Sequence, residues 1–236
     1  RGFSPYDKLR NWTTRAKVGV NFETDVRARI RALKEQWDVQ PGLAGYLVGH
    51  EDYRAAYYPA LRQTLEVLRQ EDPERPAFTV GRLESFPSRT RFLDAFFTAT
   101  GPPNLFQQEH YIFRGDLPAG GNKLRRKLRE LVNEYGGVAR HLRDRNGRWH
   151  AILQAHSEQR ERDGVSTPFY RKPSGPELAV QAGAALSRGA SGIVYFLYSS
   201  GIEEVRDEDG ELVQTRYYEG LVRRNGEPTA AYDQAR

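Results

Sequence analysis

Helix-patterned segments alternating with single short apolar runs constrain this chain more than any other feature. Residues 23–37 carry Val26, Ile30, Leu33 and Trp37 at three- and four-residue spacing, the period of a helix with one buried face. Residues 43–48 follow as an apolar run short enough for a buried strand. Helical spacing returns over 53–70 through Tyr57, Leu61, Leu65 and Leu68. Asp72-Pro73-Glu74-Arg75-Pro76 then stops that helix, because each proline restricts the residue before it, and launches a strand over 77–80. A short helix over 89–98 is broken by Gly101-Pro102-Pro103, and a strand over 104–108 leads to the longest helix, 122–142. That helix turns Leu124, Leu128, Leu131, Val132 and Tyr135 inward. Asn146-Gly147 precedes a strand over 149–154, Pro173 to Pro176 opens a helix over 177–187, and 191–198 is an apolar, β-branched and aromatic strand.

Helices separated by single buried strands imply βαβ units around a parallel sheet. Five such strands are visible, and 17–22 offers a sixth. After Tyr198 the rhythm changes. Asp209-Gly210 and Asn225-Gly226 are hairpin signals, so 202–226 reads as an antiparallel excursion from the last strand's loop, followed by a terminal helix opened by Pro228.

Composition excludes several classes. With 36 basic and 31 acidic residues interleaved, the net charge of +5 describes solvated helix faces better than a nucleic-acid footprint. No apolar run is long enough to span a bilayer, so membrane insertion is not expected. The absence of cysteine removes disulfides and thiolate chemistry. The chain starts at Arg1 and holds no methionine, which leads to the expectation that sequence precedes it. The compartment stays open for that reason, a secreted or periplasmic location included.

The stretch Gly45-Tyr46-Leu47-Val48-Gly49-His50-Glu51-Asp52 carries the chemistry. An apolar run ending in a glycine and a cluster of ionisable groups is how a catalytic acid looks at the carboxyl end of a parallel strand, where β/α barrels build their active sites. In order along the chain, the segments resemble the C-terminal part of a glycoside-hydrolase-like TIM barrel from about Leu43 to Tyr232. His50-Glu51-Asp52 is similar to the Asp-Glu-Pro that follows strand four in such proteins. Glu71 to Pro76 resembles their Asp-Pro-x-Arg-Pro, and Gln108-Glu109-His110-Tyr111 stands at the end of strand six. Ile152-Leu153-Gln154-Ala155 resembles the end of strand seven. Arg171-Lys172-Pro173 with Glu177-Leu178 is similar to the start of the next helix. The stretch from Gly189 to Tyr198 is similar to strand eight. The resemblance implies an α/β fold, a (β/α)8 TIM barrel represented by its C-terminal part. It further implies a single domain over 1–236 with the 202–226 hairpin inside it and the first βα units missing. His50 in place of Asp and Asp52 in place of Pro depart from the pattern.

What the resemblance implies is a glycoside hydrolase acting on an oligo- or polysaccharide without a cofactor. Glycosidic cleavage needs two carboxylic groups facing the scissile bond. Glu51 is the expected proton donor. Glu109 ranks first as the second carboxylate because it directly follows a strand, with Glu158 next. His50, Tyr111, Gln154, His156 and Tyr198 are expected to contact the sugar, through aromatic faces or hydrogen bonds to hydroxyls. The alternative is a non-catalytic carbohydrate-binding barrel that has lost one carboxylate. A metal is not expected, since the His50-Glu51 and Glu109-His110 pairs lack a helical His-Glu-x-x-His spacing.

Overall fold

The computed structural model describes residues 21–38, 45–50, 58–82, 105–143 and 147–236. Glu51, the expected sixth strand at 17–22 and the expected helix at 89–98 lie outside the described residues, save for Asn21 and Phe22. The chain divides into two compact units, residues 1–109 with 137–150 and residues 110–136 with 151–236.

In the first unit, helix α1 (Phe22–Asp38) buries Phe22, Val26, Ile30 and Leu33 along one stripe. Helix α2 (Tyr58–Glu71) does the same with Leu61, Leu65 and Leu68. The two helices are clasped at Glu71, which accepts from Arg27 and, at 2.7 Å, from Arg31 Nε. Strands β1 (Tyr46–His50), β2 (Ala77–Arg82) and β3 (Leu105–Glu109) pair side by side and parallel, as the alternation of helix and strand requires. The proline-punctuated turn before β2 is locked by chemistry rather than by its prolines alone. Buried Asp72 accepts from Tyr46 Oη and from Arg75 Nη1, each at 2.7 Å.

The Arg31 and Arg27 hydrogen bonds pull the Glu71 carboxyl down to about 2 from an ordinary 4.5. A carboxylate depressed in the folded state contributes stability that is complete above its ordinary value and is lost as pH falls. We expect the urea midpoint to decline between pH 4.5 and about 2 in the protein, and to decline less over that window in Glu71→Gln.

Two elements contribute residues to both units. Helix α3 (Gly121–Arg143) buries Leu124, Leu131, Tyr135, Val138 and Leu142, and strand β4 (Trp149–Gln154) is buried along almost its whole length. In the second unit, helix α4 (Gly175–Ser187) opens on a capping box in which Ser174 and Glu177 exchange hydrogen bonds, the N-terminal signature expected of Ser-Gly-Pro-Glu. Strand β7 (Gly192–Phe196) neighbours β4. Leu178, Ala155, Leu221 and Ala231 form a core against the terminal helix α5 (Ala230–Ala235).

Four further strands make an antiparallel sheet in the order β6-β5-β9-β8. The expected hairpin after the last strand is β8 (Gly201–Arg206) with β9 (Leu212–Glu219), turning at Gly210 with φ of 86°. Its partner was not expected. Strands β5 (Ser157–Arg162) and β6 (Val165–Tyr170) form a second hairpin through Asp163-Gly164, whose φ angles of 53° and 73° belong to the mirror-image two-residue turn. The two hairpins join through β5 and β9, with Glu158 opposite Tyr218 and Arg160 opposite Arg216. The architecture is mixed α/β with parallel strands and a separate antiparallel sheet, and no closed barrel is seen among the described residues.

Candidate functional site

The parallel strands of the first unit end in ionisable groups. His50 closes β1, Arg82 closes β2 and Glu109 closes β3, with Arg82 opposite Glu109 in the register and His50 opposite Val80. Ligands of open α/β sheets bind outside these carboxyl ends, because the loops and helix starts there offer polar groups that the strands themselves have spent. The Glu109 side chain belongs to a residue only 5% exposed, and the Gln108 side chain donates to its carbonyl at 3.0 Å.

The second unit gathers a different set. His156 is buried with its Nδ1 2.8 Å from the Phe196 carbonyl. A carbonyl only accepts, so Nδ1 carries the proton. Tyr111, Tyr170 and Phe196 surround the imidazole at centroid distances of 5.1, 5.5 and 5.0 Å, and Tyr218 lies at 6.1 Å. These are the edge and offset geometries aromatic rings favour when packed. Tyr111 and His156 thus lie together as packed interior groups, each exposed by 5% or less.

Gln154 is held by backbone groups. Its Oε1 accepts from the Phe113 amide at 2.9 Å, and its Nε2 donates to the Phe113 and Arg171 carbonyls, each at 3.1 Å. Both amide hydrogens are therefore spent on backbone, and the side chain braces two loops instead of reaching for a hydroxyl. Gln181 on α4 repeats the device one layer on, clasping the backbone N–H and C=O of Gln154 at 3.1 Å each. Arg171 completes the brace. It meets Glu177 in a bidentate pair at 2.6 and 2.9 Å and donates Nε to the Leu117 carbonyl at 2.7 Å. Burial alone would raise the Glu177 carboxyl, but the Arg171 and Ser174 hydrogen bonds hold it below its ordinary value. Gly115 lets this loop lie directly on β6, since a Cβ there would sit 2.3 Å from the Pro168 carbonyl oxygen.

Tyr198 is not part of the aromatic cluster. It is 58% exposed, and its ring meets that of Tyr232 edge-on at 6.5 Å. Glu158 is buried and paired with Arg160 Nε at 2.5 Å, on the same sheet face as Tyr218. Burial pushes the Tyr218 phenol up to about 12, with Glu203 and Glu158 acting the same way against the hydrogen bond from Arg216. It stays protonated and donates to Glu203 at 2.9 Å. Past the middle of α3, the buried carboxylate of Glu134 meets His110 Nδ1. No group of three or more metal-ligating side chains gathers among the described residues, and no described helix is long and apolar enough to cross a membrane.

No family model matches this chain, and no curated protein matches it. Solved structures do. The beta-glucuronidase from Ruminococcus gnavus in complex with D-glucaro-d-lactam superposes with a TM-score of 0.57 at 11% identity, over 90% of this chain and 35% of that one. The beta-galactosidase from the psychrophilic Marinomonas ef1 gives 0.56 at 10% identity, over 100% of this chain and 43% of that one. The chain thus spans less than half the length of these enzymes. At such identities the likeness is one of fold alone: the chain has a glycoside-hydrolase-like α/β fold.

Proposed function

We propose that the chain carries the active site of a glycoside hydrolase of the β/α-barrel kind, with Glu51 as proton donor and Glu109 as the second carboxylate. The observation that carries this reading is the row of ionisable residues closing three adjacent parallel strands, with Glu51 next in sequence after His50. Neighbouring strands lie about 4.8 Å apart, so the ends of β1 and β3, two strands apart, are separated by roughly 10 Å of backbone. Side chains spanning that interval can bring two carboxyl groups to the roughly 5–10 Å that glycosidic cleavage uses. The glycosidase fold supports the same substrate class.

In this mechanism Glu51 gives its proton to the glycosidic oxygen as the bond to the anomeric carbon breaks. Glu109 either attacks that carbon, giving a glycosyl-enzyme that water then hydrolyses, or takes a proton from the attacking water. His50, next to the donor in sequence, is assigned to orient it.

Aryl glycosides of graded leaving-group ability, together with calorimetric titration of oligosaccharides, test the assignment. In Glu51→Gln, turnover falls by about 100- to 10,000-fold on poor leaving groups and much less on activated ones, because the latter need no proton. Equal turnover in both proteins would remove Glu51 from the role. Oligosaccharide binding without turnover in either would favour the non-catalytic carbohydrate-binding barrel.

A further inference from the structure

We infer that the guanidinium groups gathered around Phe169 form a subsite for the carboxylate of an acidic sugar, so that the glycan recognised is one containing uronate units. This deepens the glycan reading above and rests on it. The Arg160 guanidinium carbon lies 3.1 Å from the centroid of the Phe169 ring, and that of Arg114 lies 4.6 Å from the same centroid and 4.7 Å from that of Tyr170. Two cations therefore share one aromatic ring. A third, Arg216, stands directly opposite Arg160 across the β5–β9 ladder, on the same sheet face. Like charges so placed repel, and direct cross-strand like-charge pairs destabilise a sheet.

Carboxylates offset this only in part. Glu158 pairs with Arg160, and Glu203 pairs with Arg216 at 3.2 Å. No carboxylate among the described residues lies within ion-pair distance of Arg114, whose nearest acidic neighbour in sequence, Asp116, is paired with Lys123. Three half-buried guanidiniums thus face two carboxylates, one of them the buried Glu158. Stacking on a ring face satisfies the plane of a guanidinium but leaves its N–H edge to find an acceptor. That edge matches a carboxylate fork to fork. The loop that bears Arg114 is held for the purpose: Arg114 bridges Tyr170 across an antiparallel contact, and the Gly115 amide donates to the Phe169 carbonyl at 3.0 Å.

The test is calorimetric binding of oligoglucuronides and oligogalacturonides, each against its methyl ester, which keeps the shape and removes the charge. The protein, Arg114→Gln and Arg114→Lys are compared, with thermal unfolding confirming that each is folded. We expect at least one free acid to bind about tenfold or more tighter than its ester, an advantage lost in Arg114→Gln, kept only in part in Arg114→Lys, which retains the charge without the fork, and reduced by added salt. Esters binding as tightly as acids, or an acid preference unchanged in Arg114→Gln, would overturn the inference while leaving the glycan reading intact. Binding of no oligosaccharide of either kind, with no turnover of any aryl glycoside, would overturn both.

Discussion

Glu109→Gln is expected to leave the protein folded and to lower glycoside turnover by about 100- to 10,000-fold, the range a positioned acid or base contributes. The substitution is nearly isosteric and removes only the charge and the ability to ionise, which is why it separates chemistry from packing at a residue 5% exposed. If Glu109 is the nucleophile or base, activated and poor leaving groups suffer alike, in contrast to Glu51→Gln. The two substitutions together then cost little more than the worse of them alone, since groups that act as a unit are not additive. Turnover and thermal unfolding measured on the same preparations check both halves. Unchanged turnover in folded Glu109→Gln transfers the role elsewhere, with buried Glu158 the next carboxylate to substitute.

Gln154→Leu is expected to have the largest effect on stability. The side chain is fully buried and its amide supplies three hydrogen bonds to backbone. The Phe113 carbonyl keeps a partner in the Arg171 amide at 3.0 Å. The Phe113 N–H and the Arg171 carbonyl each lose the Gln154 bond. Leaving the buried Phe113 N–H and the partly buried Arg171 carbonyl unsatisfied costs about 2–4 kcal/mol. Gln154→Glu retains the acceptor for Phe113 but turns a carboxylate toward two carbonyl oxygens, so we expect it to be at least as damaging. Urea denaturation of the two variants reads the difference directly. A loss below about 1 kcal/mol in both would show that water or a rotated loop replaces the brace.

The parallel strands and their helices were legible because period and punctuation agreed. Val26, Ile30 and Leu33 on α1, and Leu61, Leu65 and Leu68 on α2, announce buried faces at helical spacing, and both come out buried. The β8–β9 hairpin was legible from Asp209-Gly210. The β5–β6 hairpin carried an equal signal in Asp163-Gly164, but its strands are polar: Ser-Glu-Gln-Arg-Glu-Arg offers no apolar face, and its sheet uses the Arg160–Glu158 pair within β5, the Arg216–Glu203 pair between β9 and β8, and arginines on aromatic rings. Missing that hairpin hid Phe169, Tyr170 and the Arg160–Glu158 pair, and with them the setting of Tyr111 and His156. A glutamine at a strand end, such as Gln154, looks the same in sequence whether it faces solvent or backbone. Only the loops that fold over it decide, and those come from residues 113 and 171, far apart in sequence. Gln181 left a fainter trace, one amide in the otherwise apolar run of α4.

The most direct measurement is a crystal structure in which the carboxyl groups of Glu51 and Glu109 are both resolved. The account predicts that they face each other across one cleft at roughly 5–10 Å, the shorter end marking retention and the longer inversion of configuration. Carboxyl groups pointing to opposite faces of the parallel strands, or held farther apart than a single glycosidic bond can bridge, would contradict it.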